Sequence, residues 1–309
     1  MEIIQVKGNT YVLDLGLLYL PFYKINQTDL VLLDTGLMKE HRNLISDFLE
    51  ENDYLVAGII CTHSHIDHAG NAAYFKKKYG AKVAMSREEA MILSSTLELK
   101  IFYSNYTLTQ VEKHYGHMVL QTDIIIDDQD DQVEVAGITF GIIHTPGHSS
   151  GHVAITTPDN VTYLGDCLIS YEVMKSSKLP YAHILRKDLI SKMKLYTLKS
   201  DRYVLAHKGI FDDIKDLITD NIYFYKQRAE EILELVVKPM TTEDILRAVS
   251  KSKSIRIGSV NKYVVIERML RCYIEYLCET DKLMPIIDDD FKKYVRCDDM
   301  NNPAYKEEV

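Results

Sequence analysis

Three histidines and one aspartate lie within six consecutive residues of the segment Thr62-His63-Ser64-His65-Ile66-Asp67-His68. An extended chain points alternate side chains to one face, so His63 and His65 can bind one cation together. We expect a helix to begin at Asp67, and this turn can direct Asp67 and His68 toward a neighbouring cation. Imidazole and carboxylate are usual ligands of zinc, and of iron or manganese where oxygen predominates. The segment therefore predicts a metal site.

Alternating strands and helices surround this segment and must position it. An apolar strand over Leu55–Cys61 leads into the histidines, and a helix over Asp67–Tyr79 is predicted to stop at Gly80, a common C-cap residue. Further strands and helices follow up to Tyr203–Ala206, a short strand just before His207. This alternation is typical of layered α/β folds.

Residues 94–120 interrupt the alternation with many aromatic side chains and no clean period. We interpret them as a helical insertion that packs its rings against the core, or that forms a lid or a dimer contact near the metal site. On the second interpretation, Tyr103, Tyr106 or Tyr115 approaches the metal cleft or a partner subunit.

The pattern changes after residue 210. A long amphipathic helix over Asp212–Val237 is followed by a short helix over Glu243–Ser250 and a second long helix over Val260–Glu279. Thr241 and Asp244 resemble a capping box with aspartate in place of glutamate. A turn into a short strand completes a pattern that predicts a winged-helix-like domain over 211–309, after a catalytic domain over 1–210.

Composition narrows the classes of function. The 309 residues carry a net charge of −9, so the surface as a whole is not built to attract nucleic acid or anionic membranes. No basic leader opens the sequence, and no apolar run approaches the roughly 18 residues that a membrane-spanning helix needs. Five cysteines without a C-x-x-C spacing favour a reducing cytoplasm.

The motif H-x-H-x-D-H after an apolar strand resembles the signature of the metallo-β-lactamase superfamily, and the rest of that pattern follows in order. The matching positions are Asp34 in Leu33-Asp34-Thr35-Gly36, His148 in Pro146-Gly147-His148, Asp166 in Leu164-Gly165-Asp166 and His207 in Ala206-His207-Lys208. The resemblance covers about residues 1–210 and implies an αββα sandwich.

The resemblance also implies roles for these residues. His63, His65 and His148 would bind one divalent ion, Asp67, His68 and His207 a second, and Asp166 would bridge both, with Asp34 supporting the site from behind. The two ions would hold a hydroxide that attacks the substrate, and Asp67 would orient this hydroxide. Zinc is the first expectation for the metal, with iron or manganese as the alternatives.

Other polar residues are weaker candidates. Tyr171, Tyr103 and Tyr106 are candidate substrate-binding residues, although the spacing of Tyr171 from Asp166 does not match the lactonase pattern. Cys167 is expected to be a packed small side chain, and His144 and His152 to support the site or the fold.

Three functions stay open for such a site. A small ester, thioester or lactone is the first expected substrate class, as in glyoxalase-II-like thioesterases. An endoribonuclease or phosphodiesterase is the second, because the predicted C-terminal domain resembles that of the β-lactamase-like protein 2 branch. Between Arg247 and Arg271, seven basic residues stand against one acidic residue, which could bind RNA. A mononuclear iron oxygenase is the third. A homodimer is a further alternative, and no membrane partner is expected.

Overall fold

The computed structural model describes residues 2–298. Two mixed β-sheets are stacked in the centre of the fold. The first sheet has the order β1-β2-β3-β4-β5-β6-β7, and the second has the order β13-β12-β11-β10-β9-β8. The first comprises β1 (Glu2–Lys7), β2 (Thr10–Asp14), β3 (Tyr19–Lys24), β4 (Asp29–Leu33), β5 (Leu55–Ile60), β6 (Lys82–Ser86) and β7 (Ile124–Ile126). The second comprises β8 (Gln132–Val135), β9 (Ile138–His144), β10 (Val153–Thr156), β11 (Val161–Tyr163), β12 (Arg202–Val204) and β13 (Ile210–Phe211).

Helices cover the outer faces of both sheets, which gives the predicted αββα sandwich. The helices that precede the second sheet in sequence are α1 (Met38–Glu51), α2 (Ile66–Ala69), α3 (Ala72–Tyr79), α4 (Arg87–Leu93), α5 (Thr96–Phe102) and α6 (Leu108–Tyr115). The helices that follow strand β11 in sequence are α7 (Tyr171–Ser176), α8 (Leu185–Lys194), α9 (Lys215–Leu235), α10 (Thr242–Ser252) and α11 (Val260–Glu279). The main core joins α1 and α3 to the sheets through Phe48 and Phe75, and Ile214 and Leu217 at the start of α9 pack near Tyr203 on the other side.

Two local features differ from the sequence prediction. Strand β3 is not among the predicted strands, and it contains Pro21, which cannot donate a hydrogen bond to a neighbouring strand. Pairing of β3 with β4 begins only at Phe22, so the missing donor disturbs no ladder on that side. The helix expected over Asp67–Tyr79 is divided into α2 and α3, with Gly70 and Asn71 between them. An added Cβ at Gly70 would lie 2.2 Å from the Ile66 carbonyl oxygen, so only glycine fits this junction.

The C-terminal region contains the three predicted helices, followed by a hairpin of β14 (Leu283–Asp288) and β15 (Phe291–Arg296). The predicted capping box opens α10: the Thr241 hydroxyl accepts from the Asp244 amide at 3.1 Å, and the Asp244 carboxylate accepts from the Thr241 amide at 3.2 Å. The boundary at 210/211 stays a prediction. The second hydrophobic cluster joins α9–α11 to Leu185 and Leu189 of α8, which precede it. No helix among residues 2–298 is both long and apolar enough to cross a membrane.

Gly58 in β5 lies where the two sheets pack closely against each other. An added Cβ there would lie 2.2 Å from Cγ1 of Val135 in β8, a distance that two packed carbons cannot adopt. The sheets therefore stack closely at this position only because residue 58 has no side chain.

We predict that Gly58→Ala lowers the free energy of unfolding by about 1–3 kcal/mol through overpacking. Val135→Ala should be less destabilising in the Gly58→Ala background than in the wild type, because it removes the colliding methyl group. Urea unfolding of the four proteins measures this coupling. Gly258→Ala, where an added Cβ meets no atom within 4 Å, is the control. Strictly additive effects of the two substitutions would contradict the proposed contact.

Candidate metal centre

Chain segments that follow six strands meet at one edge of the sandwich. The parallel strands β4, β5 and β6 lead into Asp34, the histidine-rich segment 62–68 and helix α4, respectively. In the second sheet, the segments after β11 and β12 carry Asp166 and His207, and His148 lies between β9 and β10. Residues far apart in sequence are therefore brought together where these strands end.

The first group of side chains comprises His63, His65, His148 and Asp166. Nδ1 of His65 lies 2.9 Å from Nε2 of His63 and 3.1 Å from Nε2 of His148. The same His148 nitrogen is 3.2 Å from Oδ2 of Asp166. Two nitrogens bound to one tetrahedral zinc at 2.0–2.1 Å would be about 3.3 Å apart. The spacing is therefore close to that of a zinc site.

The second group comprises Asp67, His68 and His207. Oδ2 of Asp67 lies 3.4 Å from Nε2 of His207 and 3.7 Å from Nε2 of His68. Asp166 lies between the groups: its Oδ1 is 3.4 Å from Nε2 of His207, and its Oδ2 is 3.5 Å from Nε2 of His68. The structure thus brings together all seven side chains that the sequence predicts as ligands, with Asp166 in the bridging position.

Unsatisfied polar atoms show that these residues suit a cation. Nε2 of His68 and Oδ1 of Asp166 are buried and have no hydrogen-bond partner among the described residues. Buried polar atoms without partners are costly, and these two face a space surrounded by other ligand atoms. Within each group, one ligand atom from every residue lies within 4.8 Å of the others. Imidazole and carboxylate donors in this number fit two divalent ions.

The electrostatics of the two groups differ. Burial lowers the pKa of His65 and of His148 to about 3, so both are neutral and can donate a lone pair. The Asp166 carboxylate raises the pKa of His207 to about 10, against the effect of burial. Burial also acts to lower the pKa of His68, but the charges of Asp166 and Asp67 outweigh it and raise this pKa well above its usual range. A cation in the second group therefore replaces a proton that the carboxylates attract.

Asp34 supports His68 from the side opposite the cluster. Its Oδ2 lies 2.7 Å from Nδ1 of His68 and accepts from the Tyr163 hydroxyl at 2.8 Å, while its Oδ1 accepts from the Thr62 amide at 2.7 Å. A proton on Nδ1 leaves Nε2 of His68 free to bind a metal. Asp34 has a φ of 68°, a left-handed conformation that aspartate tolerates better than most residues.

Glu89 of α4 also holds the site together, and the sequence analysis did not identify it. Its fully buried carboxylate accepts from the Ser64 amide at 2.8 Å, from the Ser64 hydroxyl at 2.6 Å and from the Gly151 amide at 2.8 Å. It thereby ties the segment that carries His63 and His65 to the loop that carries His148. A glutamate in an ordinary helical segment carries no sequence signal for such a role.

His152, expected to support the site or the fold, is buried behind Asp166. Its Nε2 accepts from the Asp166 amide at 3.1 Å, and its Nδ1 lies 2.8 Å from the Thr145 hydroxyl. Gly147 allows the His148 loop to pack closely on α8. Its φ is 140°, and an added Cβ would lie 2.1 Å from the Asp188 amide nitrogen. Both features fix the positions from which His148 and Asp166 point into the cluster.

The tyrosine-rich segment lies beside the first group, although its tyrosines do not touch the ligands directly. Tyr103 and Tyr115 stack with ring centroids 3.9 Å apart, and Tyr103 lies edge-on to Phe102 at 5.0 Å. Phe102 in turn lies 6.2 Å from the His65 ring. Tyr106 donates to Asn261 of α11. Tyr103 and Tyr106 therefore line a cavity next to the centre, and their role in substrate binding stays a prediction.

The remaining candidates lie apart from the ligand atoms. Tyr171 begins α7 and is 41% exposed, and burial together with the carboxylates of Asp220 and Asp216 raises its pKa. Cys167 is buried in the third hydrophobic cluster, as expected, and burial raises its pKa to about 12. Nε2 of His144 lies 2.9 Å from the Asp130 carbonyl oxygen. None of these contacts directs the side chain into the cluster.

We predict that Asp34→Asn weakens metal binding in the second group by roughly 10–100-fold, because an amide orients His68 less strongly than a carboxylate. Asparagine tolerates the left-handed backbone, so the loop should keep its shape. Competition with a chelator, followed by elemental analysis, measures the affinity. Asp53→Asn, at an exposed aspartate with a φ of 54°, is the matched control. Unchanged affinity in Asp34→Asn would show that Asp34 does not orient His68.

Comparisons with known proteins agree with this geometry. Residues 9–207 match the family model described as the metallo-beta-lactamase superfamily. The hydroxyacylglutathione hydrolase GloC of Haemophilus influenzae is 25% identical over 169 residues, which cover 54% of this chain and 74% of the relative. A hydroxyacylglutathione hydrolase of Bradyrhizobium sp. is 24% identical over 228 residues, covering 72% and 77%.

Solved structures show the same fold, including the C-terminal region. A metallo-beta-lactamase family protein from Thermus thermophilus covers 96% of this chain and 98% of its own, with a TM-score of 0.68 and 20% identity. A beta-lactamase from Chitinophaga pinensis covers only 74% of this chain and 94% of its own, with a TM-score of 0.56 and 16% identity. The family model spans well over half of the residues and includes all seven clustered side chains. The chain belongs to the metallo-β-lactamase superfamily.

Proposed function

We propose that this protein is a dinuclear metal-dependent hydrolase that acts on a small ester, thioester or lactone. The observation that carries the proposal is the position of Asp166, whose carboxylate lies within 3.5 Å of His148 in the first group and of His68 and His207 in the second. Two ions bound there, with zinc as the first expectation, would supply Lewis acidity and lower the pKa of a water molecule to generate a nucleophile. His63, His65 and His148 would hold the first ion, and Asp67, His68 and His207 the second.

The carboxylates differ in how accessible they are, which suggests separate roles. The side chain of Asp166 is 9% exposed and lies between the imidazoles, whereas that of Asp67 is 28% exposed. Asp67 can therefore contact an incoming water molecule and orient it, while Asp166 stays fixed. The neighbouring histidines hold the pKa of Asp67 below its usual range despite burial, so this carboxylate is ionised and can accept a hydrogen bond.

The open side of the centre lies next to His207. This imidazole is 30% exposed, its Nδ1 lies 3.3 Å from the Leu17 carbonyl oxygen, and the Leu17 side chain itself is 81% exposed. His63 and His68, by contrast, are fully buried. A substrate can thus reach the centre from the Leu17 side. The two relatives named as hydroxyacylglutathione hydrolases support a thioester within the proposed substrate class.

A nuclease is the second candidate, because α9, α10, α11 and the β14–β15 hairpin follow one another as in a winged helix, which could bind RNA. Ion pairs weaken this case: Lys253 pairs with Glu231, and Arg271 with Glu267 at 2.7 Å. We therefore rank the small-molecule hydrolase first. A mononuclear iron oxygenase, the third candidate, would need only the first group of ligands.

We predict that the purified protein, supplied with divalent metal, contains about two transition-metal ions per chain. Asp166→Asn should lose at least one ion and lower ester or thioester turnover by roughly 10–100-fold or more, because both groups share this carboxylate. Elemental analysis and a chromogenic thioester assay measure the two effects. Asp201→Asn, which makes the same change at the protein surface, is the control. Asp188 is not suitable for this purpose, because it packs under the His148 loop. Full metal occupancy with unchanged turnover would contradict the bridging role.

The exposed basic residues distinguish the two candidate functions. Lys251, Arg256 and Lys262 are exposed, and their replacement by glutamine removes three charges without disturbing the core. We predict that this triple variant hydrolyses a small ester within about twofold of the wild type, because exposed charges contribute little to a distant site. RNA cleavage by the wild type that falls steeply with salt, and is lost in the triple variant, would favour the nuclease.

A further inference from the structure

Arg268 of α11 enters a cavity of about 360 Å³ beside the candidate metal centre. Its guanidinium carbon lies 4.4 Å from the ring centroid of Phe102, 5.1 Å from that of Tyr181 and 5.4 Å from that of Tyr103. These rings belong to segments before residue 210, whereas Arg268 belongs to the C-terminal region. The cavity therefore exists only because α11 packs against the tyrosine-rich segment.

The charge of Arg268 has no carboxylate partner among residues 2–298. Its Nη2 atom is buried and forms no hydrogen bond, while Arg271, one turn further along α11, pairs with Glu267. Glu275 also lines the cavity, but it lies two helical turns from Arg268, about 10 Å along the axis. Aromatic faces stabilise a cation only partly. A buried guanidinium with a vacant donor is therefore suited to bind an anion.

The walls of this cavity are also walls of the metal centre. Tyr181 lies 5.5 Å from the ring of His65 and 5.5 Å from that of His148, and Phe102 lies 6.2 Å from His65. A single aromatic side chain, Phe102 or Tyr181, thus separates Arg268 from His65, a predicted metal ligand. The hydroxyl of Tyr181, which also lines the cavity, is buried without a partner among the described residues. It is therefore a second donor available to a molecule in this cavity.

We propose that Arg268 binds an anionic group of the substrate, a carboxylate or a phosphate, while the scissile bond of the same small molecule lies at the metal centre. This inference rests on the proposed hydrolase function and adds a substrate class to it: molecules with a negative charge a short distance from an ester or thioester. The planar guanidinium can bind either anion through two parallel hydrogen bonds. The surrounding rings would contact the carbon chain that joins the two ends.

The cavity contains no competing anion next to Arg268 among the residues described. Burial raises the pKa of Tyr181 to about 12 and that of Tyr103 further, although Arg268 opposes both shifts, so neither phenol ionises near neutral pH. Burial and Arg268 both act to lower the pKa of His183, another residue of the cavity, which keeps this imidazole neutral. An incoming anion would therefore find the unpaired charge of Arg268 and several neutral donors, because Arg271, which also lines the cavity, is paired with Glu267.

Direct binding tests the proposal without catalysis. Glutarate and methyl phosphate would be titrated calorimetrically into the full chain after metal removal, for the wild type, Arg268→Met and Lys262→Gln. Lys262 is an exposed residue of the same helix, so Lys262→Gln removes the same charge outside the cavity. We expect Arg268→Met to weaken binding of at least one probe by about tenfold or more, and Lys262→Gln to leave it unchanged. The probe that binds more tightly identifies carboxylate or phosphate as the preferred group.

Kinetics with the metal-loaded enzyme provide the second readout. The monoester of p-nitrophenol with glutarate carries a free carboxylate, whereas p-nitrophenyl valerate has a similar chain without charge. Arg268→Met should lower kcat/KM for the charged ester by about tenfold or more and change that for the neutral ester by less than about twofold, with Arg268→Lys in between. Circular dichroism and metal content would show that the variants are folded and loaded.

Other outcomes separate the failure of this proposal from that of the proposed function. Equal losses for both esters in Arg268→Met, or binding of both probes that does not depend on Arg268, would overturn the anion site while leaving the hydrolase intact. If the wild type hydrolyses neither ester nor any thioester, the proposed function fails, and the calorimetric comparison still decides whether Arg268 binds an anion.

Discussion

Attraction between buried carboxylates and imidazoles at one edge of the sandwich governs the organisation of this protein. Asp34, Asp67 and Asp166 are placed around His68, and each would be costly to bury without it. A cation bound between these side chains would offset the cost of burying them, because it satisfies several lone pairs at once. The sheets, their turns and the supporting side chains all act to keep these groups within reach of one another.

The supporting residues show how a buried polar cluster is kept in one arrangement. Asp34 fixes the ring of His68, Glu89 joins two ligand-bearing loops, and His152 holds the backbone of Asp166. Behind the His148 loop, Lys192 and Asp188 form an ion pair whose side chains are each only 1% exposed. Most of these contacts join segments that are distant in sequence, so the centre depends on the complete fold rather than on any single motif.

The residues alone predicted a layered α/β fold, the helices α10 and α11, and a metal site in the segment 62–68, because each leaves a local signal. The αββα sandwich and the ligand roles of His148, Asp166 and His207 were implied by the resemblance to the superfamily. Strand alternation, a capping box and the spacing of His63, His65 and His68 can all be recognised within a few residues. Glu89 could not be found in this way, since its role arises from contacts with Ser64 and Gly151. Arg268 belongs to a basic stretch that the sequence predicts to be exposed, and only the packing of α11 against Phe102 and Tyr181 shows that it is turned inward.

The second hydrophobic cluster has a consequence for how the chain unfolds. It places Leu185 and Leu189, which precede residue 210, in the same core as Tyr225, Leu270 and Tyr273, which follow it. Residues that share one core lose their packing together, so the part of the chain with the metal ligands and the part with α9–α11 are thermodynamically linked. Loss of the C-terminal helices would expose the face of α8 that carries Leu185 and Leu189. Because the His148 loop rests on the same helix at Asp188, such a loss would also weaken the support of this loop.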